Sequence, residues 1–221
     1  MVCIMFSSST ARVRANYDRL SRWYDWLAGA SERMFGLAGV RGLAPRPGER
    51  VLEIGSGTGA MLAELGRRVA PTGAAFGIDL SAGMCRVARA RLTRAGPTLR
   101  AAVVCGDVMH LPCATGAFDA IFMSFTLELF ADAEMPRLLD ECRRVLRADG
   151  RLGVVALAAT DRPGPMTRLY AWAHRRFPAI IDCRPIPVAT ILAASGFQVV
   201  EIHRGSLWGL PIEIVLADLV S

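Results

Sequence analysis

Short apolar runs alternate along the chain with longer segments that have apolar residues at helical spacing. Such runs are typical of buried strands, and such spacing is typical of amphipathic helices. Because the two kinds of segment alternate, the pattern predicts a doubly wound α/β fold with a mostly parallel sheet and helices on both faces. Five strands are predicted at residues 51–54, 73–78, 99–105, 118–125 and 152–158, with a turn at Asp149-Gly150.

The end of the chain predicts a different strand arrangement. Two further strands are expected at residues 197–202 and 207–217. The four residues between them cannot hold a crossover helix, so these strands should be antiparallel. The predicted helices occupy residues 11–40, 58–69, 82–95 (with Ser81 as N-cap), 133–146, 166–176 and 188–194.

The length of 221 residues fits one domain with three parts. Residues 11–45 are expected to form a helical lid, 46–160 the ligand-binding core, and 161–221 a substrate-side insertion with the closing strands. No run of 18 uncharged apolar residues occurs, so no transmembrane helix is expected. The six cysteines contain no C-x-x-C pair, which favours a reduced, cytoplasmic protein without a metal site.

Every one of the 26 basic residues is an arginine, and the net charge is +6. The absence of lysine excludes a P-loop nucleotidase, Schiff-base chemistry and protein kinases, because each of them needs a lysine side chain. The arginines are spread along the chain and are not interleaved with aromatic residues. No nucleic-acid partner is therefore expected.

A glycine-rich loop follows the first predicted strand, with the sequence Glu53-Ile54-Gly55-Ser56-Gly57-Thr58-Gly59-Ala60. Glycines at such a turn let the backbone approach a ligand that a Cβ would block. The helix that follows turns its N-terminus toward the same ligand. The loop also satisfies G-x-G-x-x-A, so at this point a dinucleotide remains an alternative.

Acidic residues end the next two strands and narrow the choice of ligand. Asp79 can accept hydrogen bonds from both hydroxyls of a ribose. Asp107 can accept from an exocyclic amine while the backbone N–H of Val108 donates to a ring nitrogen, which together would recognise adenine. With Glu53 these carboxylates suit a positively charged ligand. They suit a pyrophosphate poorly, since no arginine is expected near the loop.

These motifs together resemble the class I S-adenosylmethionine-dependent methyltransferases. The glycine loop is similar to the family's first motif, Gly77-Ile78-Asp79-Leu80-Ser81 to its second, and Gly106-Asp107-Val108 to its third. The resemblance implies a Rossmann-like seven-stranded sheet with an antiparallel last strand, and S-adenosylmethionine as the cofactor. It implies a cofactor site made of Glu53, Gly55, Ser56, Gly57, Asp79, Leu80, Met84, Asp107, Val108 and Ser124, with Tyr17 and Tyr24 in the lid.

Within this class the chain is most similar to the ubiquinone/menaquinone C-methyltransferase group, through Asn16-Tyr17-Asp18 and Trp23-Tyr24-Asp25. The acceptor is therefore expected to be small and apolar, such as a quinone, polyketide or phenol, methylated on carbon or oxygen. A departure is Arg147-Ala148-Asp149-Gly150, where that group has Lys-Pro-Gly-Gly.

A general base is expected for an oxygen or activated-carbon acceptor. His174 and His110 are the candidates, and the segment 161–188 offers Tyr170, Trp172, Phe177 and Arg184 as acceptor contacts. Ser124 and Phe125 are expected at the acceptor site. An NAD(P)-dependent oxidoreductase and a non-catalytic cofactor-binding protein remain alternatives. Peripheral membrane contact and the oligomeric state are left open.

Overall fold

The computed structural model describes residues 29–160, 164–176 and 183–220. Seven strands form one sheet in the order β3-β2-β1-β4-β5-β7-β6. β1 to β5 are mutually parallel, and β7 runs antiparallel to both β5 and β6. The strands are β1 (Arg50–Ile54), β2 (Ala74–Asp79), β3 (Ala101–Cys105), β4 (Phe118–Ser124), β5 (Leu146–Leu157), β6 (Phe197–Leu207) and β7 (Leu210–Leu219).

Six α-helices surround this sheet in the described residues, together with two short 3₁₀ turns at Val108–His110 and Leu127–Leu129. The helices are α1 (Gly29–Leu43), α2 (Ala60–Val69), α3 (Ala82–Arg94), α4 (Met135–Val145), α5 (Pro165–Arg176) and α6 (Val188–Ala194). Two apolar cores result. Helices α1, α2 and α3 enclose one core, and α4 and α6 enclose the other. This confirms the predicted α/β fold with an antiparallel last strand.

Helix α1 lies close against the sheet because glycines occupy its inner face. A Cβ added at Gly39 would lie 2.5 Å from Val155 Cγ2 and 2.9 Å from Phe122 Cε2. At Gly36 the nearest atoms belong to Met61 and Ser124. The helix therefore runs from the carboxyl edge of the parallel strands toward their amino edge.

Arg151 fixes the far end of α1. Its guanidinium donates to the carbonyl of Leu43 at 2.7 Å and to that of Ala44 at 3.0 Å. The same side chain forms an ion pair with Glu49 at 2.7 Å. The Leu43 end of α1 is thus attached to the start of the β5 segment that pairs with β4.

The structure corrects several predicted element boundaries. Asp149 and Gly150 lie within β5, because the strand pairs with β4 at Leu146, bulges, and pairs again from Arg151 onward. Strand β6 continues to Leu207 instead of ending at residue 202, and β7 begins at Leu210 instead of residue 207. A tight turn at Trp208-Gly209 joins the two strands. Of the helix predicted at residues 11–40, the structure describes 29–43, and the remainder lies outside the described residues.

Candidate functional site

The glycine loop is fixed to the end of β2 by backbone hydrogen bonds. The amides of Gly55 and Ser56 both donate to the carbonyl of Ile78, at 2.9 and 3.2 Å. Gly55 and Gly57 have φ angles of +70° and +50°, which a residue with a Cβ rarely adopts. In the part of the chain that the structure describes, nothing lies within 4 Å of the position that a Gly57 Cβ would take. A ligand can therefore approach the backbone at Gly57.

Asp79 ends β2 and holds the loop in place. Its Oδ2 accepts a hydrogen bond from the Gly57 amide at 2.8 Å, and its Oδ1 accepts one from the Ser81 amide at 2.8 Å. Each carboxylate oxygen has two acceptor sites, so the side chain retains capacity for ribose hydroxyls. Asp79 can thus order the loop and bind a ligand at once. The sequence motif predicted only the second role.

Glu53 is buried near the end of β1, just before the glycine loop. Its side chain is 3% exposed, and its Oε2 has no hydrogen-bond partner among the described residues. Burial raises the pKa of the Glu53 carboxyl well above its ordinary value, and the negative charge of Asp79 raises it further. A buried carboxylate is stabilised by a cation. The site therefore favours a ligand that brings a positive charge to Glu53.

The end of β3 brings the third acidic residue to the same edge. The amide of Gly106 donates to the Asp79 carbonyl at 3.0 Å, which ties the two strand ends together. Asp107 Oδ1 accepts from the Met109 amide at 2.9 Å, and Oδ2 has no hydrogen bond within the described part of the chain. Val108 is buried beside it. The free oxygen is suited to an exocyclic amine, as the motif predicts.

The other predicted cofactor contacts differ in how deeply their side chains are buried. Leu80 is half-buried at the loop edge, and Ser124 is half-buried below Gly36 of α1. Met84 is 1% exposed, so its side chain belongs to the interior in this arrangement. Ser56 is also buried, next to Gly77. The contacts of these four side chains with a cofactor stay predictions. Tyr17 and Tyr24 lie outside the described residues.

The two candidate bases differ in their surroundings. His110 is exposed, and its Nε2 contacts the guanidinium of Arg137. A guanidinium only donates, so that nitrogen acts as the acceptor there and is engaged. His174 is half-buried on α5, which follows the carboxyl end of β5. The role of either histidine as a general base stays a prediction.

The predicted acceptor contacts have different partners and different exposure. Tyr170 donates to the Cys183 carbonyl at 3.1 Å, and Arg184 forms an ion pair with Asp132 at 2.6 Å. Trp172 points outward and is 54% exposed. Phe125 is 9% exposed and has a φ of +51°, an uncommon conformation for a bulky residue. Phe177 lies outside the described residues.

Two features of the site were not predicted from the sequence. Glu128 is 1% exposed, and its Oε1 accepts from the Leu157 amide at 3.2 Å, so a second buried carboxyl group joins the ends of β4 and β5. The available signal was a glutamate within the apolar run 127–130. The expectation that no arginine lies near the loop is wrong. Arg91 of α3 donates to Thr58 Oγ1 at 3.0 Å, a contact made across 33 residues of sequence.

The arrangement fits a ligand with an ammonium group, a ribose and an adenine. Glu53 without a partner, the open approach to Gly57 and the free oxygen of Asp107 lie at neighbouring strand ends. A pyrophosphate at this edge would meet the Asp79 and Asp107 carboxylates, which would repel it. In the described residues no three His, Cys, Asp or Glu side chains are grouped so that they could hold a metal ion.

Comparison with known proteins decides the family. Residues 51–150 match the methyltransferase domain family. The chain is 30% identical over 209 residues to the ubiquinone/menaquinone biosynthesis C-methyltransferase UbiE of Cereibacter sphaeroides, covering 95% of this chain and 78% of that protein. The chain belongs to the class I S-adenosylmethionine-dependent methyltransferases. Its cofactor is accordingly S-adenosylmethionine, and the residues at the three strand ends fit that molecule.

One further relative and one solved structure extend the comparison. The 2-phytyl-1,4-naphthoquinone methyltransferase of Trichormus variabilis is 31% identical over 150 residues, which are 66% of this chain and 65% of that protein. The chain thus spans just under two thirds of that relative's length. A Burkholderia thailandensis 1,6-didemethyltoxoflavin-N1-methyltransferase shares the fold, with a TM-score of 0.70 at 19% identity, covering 100% of this chain and 94% of that one.

Proposed function

We propose that this protein transfers the methyl group of S-adenosylmethionine to a small apolar acceptor. The observation that carries the proposal is the buried Glu53 carboxyl group, which has an oxygen without a partner beside Asp79. S-adenosylmethionine supplies an electrophilic methyl group on a sulfonium, and its amino group is a cation that Glu53 can accept. Around it, Asp79 would hold the ribose and Asp107 with Val108 the adenine.

The acceptor is proposed to be quinone-like, with polyketide- and phenol-like molecules as related choices, and either carbon or oxygen as the methylated atom. The support is that curated relatives are named for a phytylated naphthoquinone and for ubiquinone/menaquinone biosynthesis. Ser124 and the residues after it would adjoin the acceptor, because they follow the central strand β4 at the cofactor edge. We also propose peripheral contact with a membrane.

The chain's own residues would favour the reaction in two ways. Positioning the acceptor in line with the methyl group supplies much of the rate of such a displacement. Excluding water helps as well, because charge is lost when a neutral or anionic nucleophile meets a cation. Helix α1 contributes by covering the carboxyl edge near Ser124. His174 is the proposed base, and His110 is the second candidate.

Calorimetry with S-adenosylhomocysteine and with NADH tests the cofactor assignment directly. We expect S-adenosylhomocysteine to bind and NADH not to bind. Incubation with radiolabelled S-adenosylmethionine and a demethylated quinol should then move label into the organic phase. Binding of NADH without S-adenosylhomocysteine would overturn the proposal in favour of an oxidoreductase. Binding of S-adenosylhomocysteine without methylation of any quinol or phenol would favour a non-catalytic protein.

The role of His174 is tested by exchanging each histidine for glutamine. We expect His174→Gln to lower kcat by about 100-fold, as loss of a general base does, with little change in KM for S-adenosylmethionine. His110→Gln should leave kcat within a few-fold of the parent. The reverse result would move the proposed base to His110.

A further inference from the structure

Helix α5 turns apolar side chains toward solvent. Leu169 is 56% exposed, Trp172 is 54% exposed and Met166 is 45% exposed, at a spacing of three residues. The opposite side of the helix is directed inward, since Thr167 is buried and Tyr170 packs against the core. A surface helix normally shows the reverse pattern, with its apolar stripe toward the core. The outward apolar stripe therefore requires an explanation.

The turn between β6 and β7 extends this apolar surface. Trp208 is 68% exposed and has a φ of +51° at the tip of the hairpin. A Cβ added at the adjacent Gly209 would lie 3.2 Å from Met166 Cβ, so the turn and the start of α5 are in contact. We call the exposed side chains of Met166, Leu169, Trp172 and Trp208 the rim surface. Large exposed aromatic residues grouped in this way mark interaction sites.

The rim surface lies at the same edge of the sheet as the cofactor site. Ile212, near the start of β7, pairs with Leu157 at the carboxyl end of β5. The hairpin tip therefore projects beyond the edge that carries the glycine loop and the acidic strand ends. A partner on the rim surface would face the side from which an acceptor enters.

The charge around the rim surface indicates what kind of partner fits. The α5 sequence PMTRLYAWAHRR has three arginines and no acidic residue, and Arg168 and Arg176 are exposed. The chain as a whole carries a net charge of +6. A helix with tryptophan and leucine on its outward side and arginines beside them is typical of segments that lie in the interface of an anionic bilayer.

We propose that the rim surface docks onto an anionic lipid bilayer, with Leu169, Trp172 and Trp208 entering the interface and Arg168 and Arg176 meeting lipid phosphates. This inference rests on the proposed function, because docking serves an apolar acceptor. Such an acceptor, dissolved in the bilayer, would reach the cofactor edge without crossing water. The docking itself requires neither cofactor nor acceptor, so the two proposals can fail separately.

Sedimentation with lipid vesicles tests the docking. The protein is mixed with phosphatidylcholine vesicles with or without about one third phosphatidylglycerol, at low and at high salt. We expect binding to the anionic vesicles, weaker binding to neutral ones, and release as salt screens the arginines. The double variant Leu169→Glu/Trp208→Asn should bind at least about ten-fold more weakly, because apolar burial in the interface is lost. Asparagine is chosen because it tolerates a positive φ.

Val200→Glu is the matched control. Val200 is also 54% exposed, but it lies in the half of β6 toward the opposite edge of the sheet. This variant should bind vesicles like the parent. Unchanged affinity for S-adenosylhomocysteine in both variants will show that they are folded.

Three results would overturn the docking. The first is that the parent chain fails to sediment with anionic vesicles. The second is that Val200→Glu loses as much binding as the double variant. In the third, the parent is a dimer by analytical ultracentrifugation that the double variant converts to a monomer, which would assign the rim surface to a second copy. Vesicle binding without affinity for S-adenosylhomocysteine would leave the docking intact and refute the proposed function.

Discussion

At the scale of single residues, Glu53 is a carboxyl group whose charge the fold disfavours. Burial raises its pKa, and so does the negative charge of Asp79. A carboxyl group with a raised pKa in the folded state stabilises the protein fully below its unfolded pKa of about 4.3, and this contribution is lost as the pH rises through the folded pKa. The site without cofactor is therefore destabilised toward neutral and higher pH.

Glu53→Gln should separate stability from binding. Without ligand, the variant should melt at a higher temperature than the parent, and the difference should grow as the pH rises. Its affinity for S-adenosylhomocysteine should fall by about 1.5–3 kcal/mol, the usual worth of a hydrogen bond to a charged group. Scanning calorimetry from pH 5 to pH 8 and binding calorimetry provide the two measurements. A variant that binds as tightly as the parent would refute the role of Glu53.

Asp79 combines two tasks, and its removal should affect both. Asp79→Ala should abolish measurable binding of S-adenosylhomocysteine, since the ribose acceptor is lost and the Gly57 amide loses its partner at 2.8 Å. Asp119→Ala is the matched control, because Asp119 likewise accepts a backbone amide, that of Arg50, at 2.8 Å but at the opposite end of the strands. The control should lower the melting temperature and keep the affinity. Retained affinity in Asp79→Ala would contradict the assignment.

The sequence predicts that these residues lie at the site, but it does not predict all of their contacts. Glu53, Asp79 and Asp107 were accessible because each follows an apolar run at a strand end, where parallel strands gather their ligands. The hydrogen bonds that Asp79 accepts from the Gly57 and Ser81 amides could not be predicted from the sequence, since they depend on loop geometry. The contact of Arg91 with Thr58 brings together residues that are distant in the chain, and no local pattern reports it.

At the scale of elements, α1 shows how closely a helix can approach a sheet when its inner face lacks side chains. Two effects oppose each other at Gly39. Alanine raises helix propensity by about 1 kcal/mol relative to glycine, whereas overpacking a filled core costs about 1–3 kcal/mol. A Cβ at 2.5 Å from Val155 and 2.9 Å from the Phe122 ring requires both to move, so overpacking should dominate.

Gly39→Ala should therefore destabilise the protein, by about 1–2 kcal/mol as the balance of those effects. Urea unfolding followed by circular dichroism measures the loss. Gly42→Ala is the control, because the nearest atom there is the end of the flexible Leu216 side chain at 3.0 Å. It should lose less stability than Gly39→Ala. Equal losses would indicate that propensity, not packing, governs this face.

Element types followed from the sequence more reliably than their boundaries. All five parallel strands and the helices of the core could be predicted, because a buried run and an amphipathic stripe are set by local composition. The Asp149-Gly150 dipeptide is a strong turn signal, yet pairing with β4 continues β5 through it as a bulge. The length of the closing hairpin depends on pairing with β5, which local patterns do not contain.

At the scale of the whole molecule, acid stability depends in part on the ion pair between Glu141 and Arg144 of α4. The hydrogen bond from Arg144 is the main cause that lowers the pKa of the Glu141 carboxyl, and Arg144 also donates to the carbonyls of Leu111 and Cys113. A lowered pKa stabilises the folded state above the unfolded value, and the contribution is lost as the pH falls through the folded value. Helix α4 is thus attached to the segment after β3 by a pH-dependent link.

Glu141→Gln should flatten the acid side of the stability profile. At pH 6 the variant should melt below the parent, and the two melting temperatures should converge as the pH falls through the lowered pKa of the Glu141 carboxyl. Asp140→Asn is the control, since that exposed side chain pairs with Arg143 of its own helix, at 3.4 Å. It should follow the parent at every pH. A constant difference between Glu141→Gln and the parent would refute the link.

The proposed docking of the rim surface also depends on the whole molecule. No helix among the described residues is long and apolar enough to cross a membrane. The exposed Trp208 and the α5 stripe come together only through the hairpin and β5, so they could not be recognised as one surface from residues that lie about 40 positions apart in the chain. The sequence could indicate an apolar acceptor, whereas the direction of its approach required the fold.

Because Arg151 holds one end of α1, the rates of amide hydrogen exchange should differ along this helix. Amide hydrogens near Leu43 should exchange with deuterium about as slowly as those of β5, since both are held by the same guanidinium. Amides near Gly36, which lie farther from Arg151 along α1, should exchange sooner. Opening of α1 near Ser124 would then expose the carboxyl edge of the sheet at a rate independent of global unfolding.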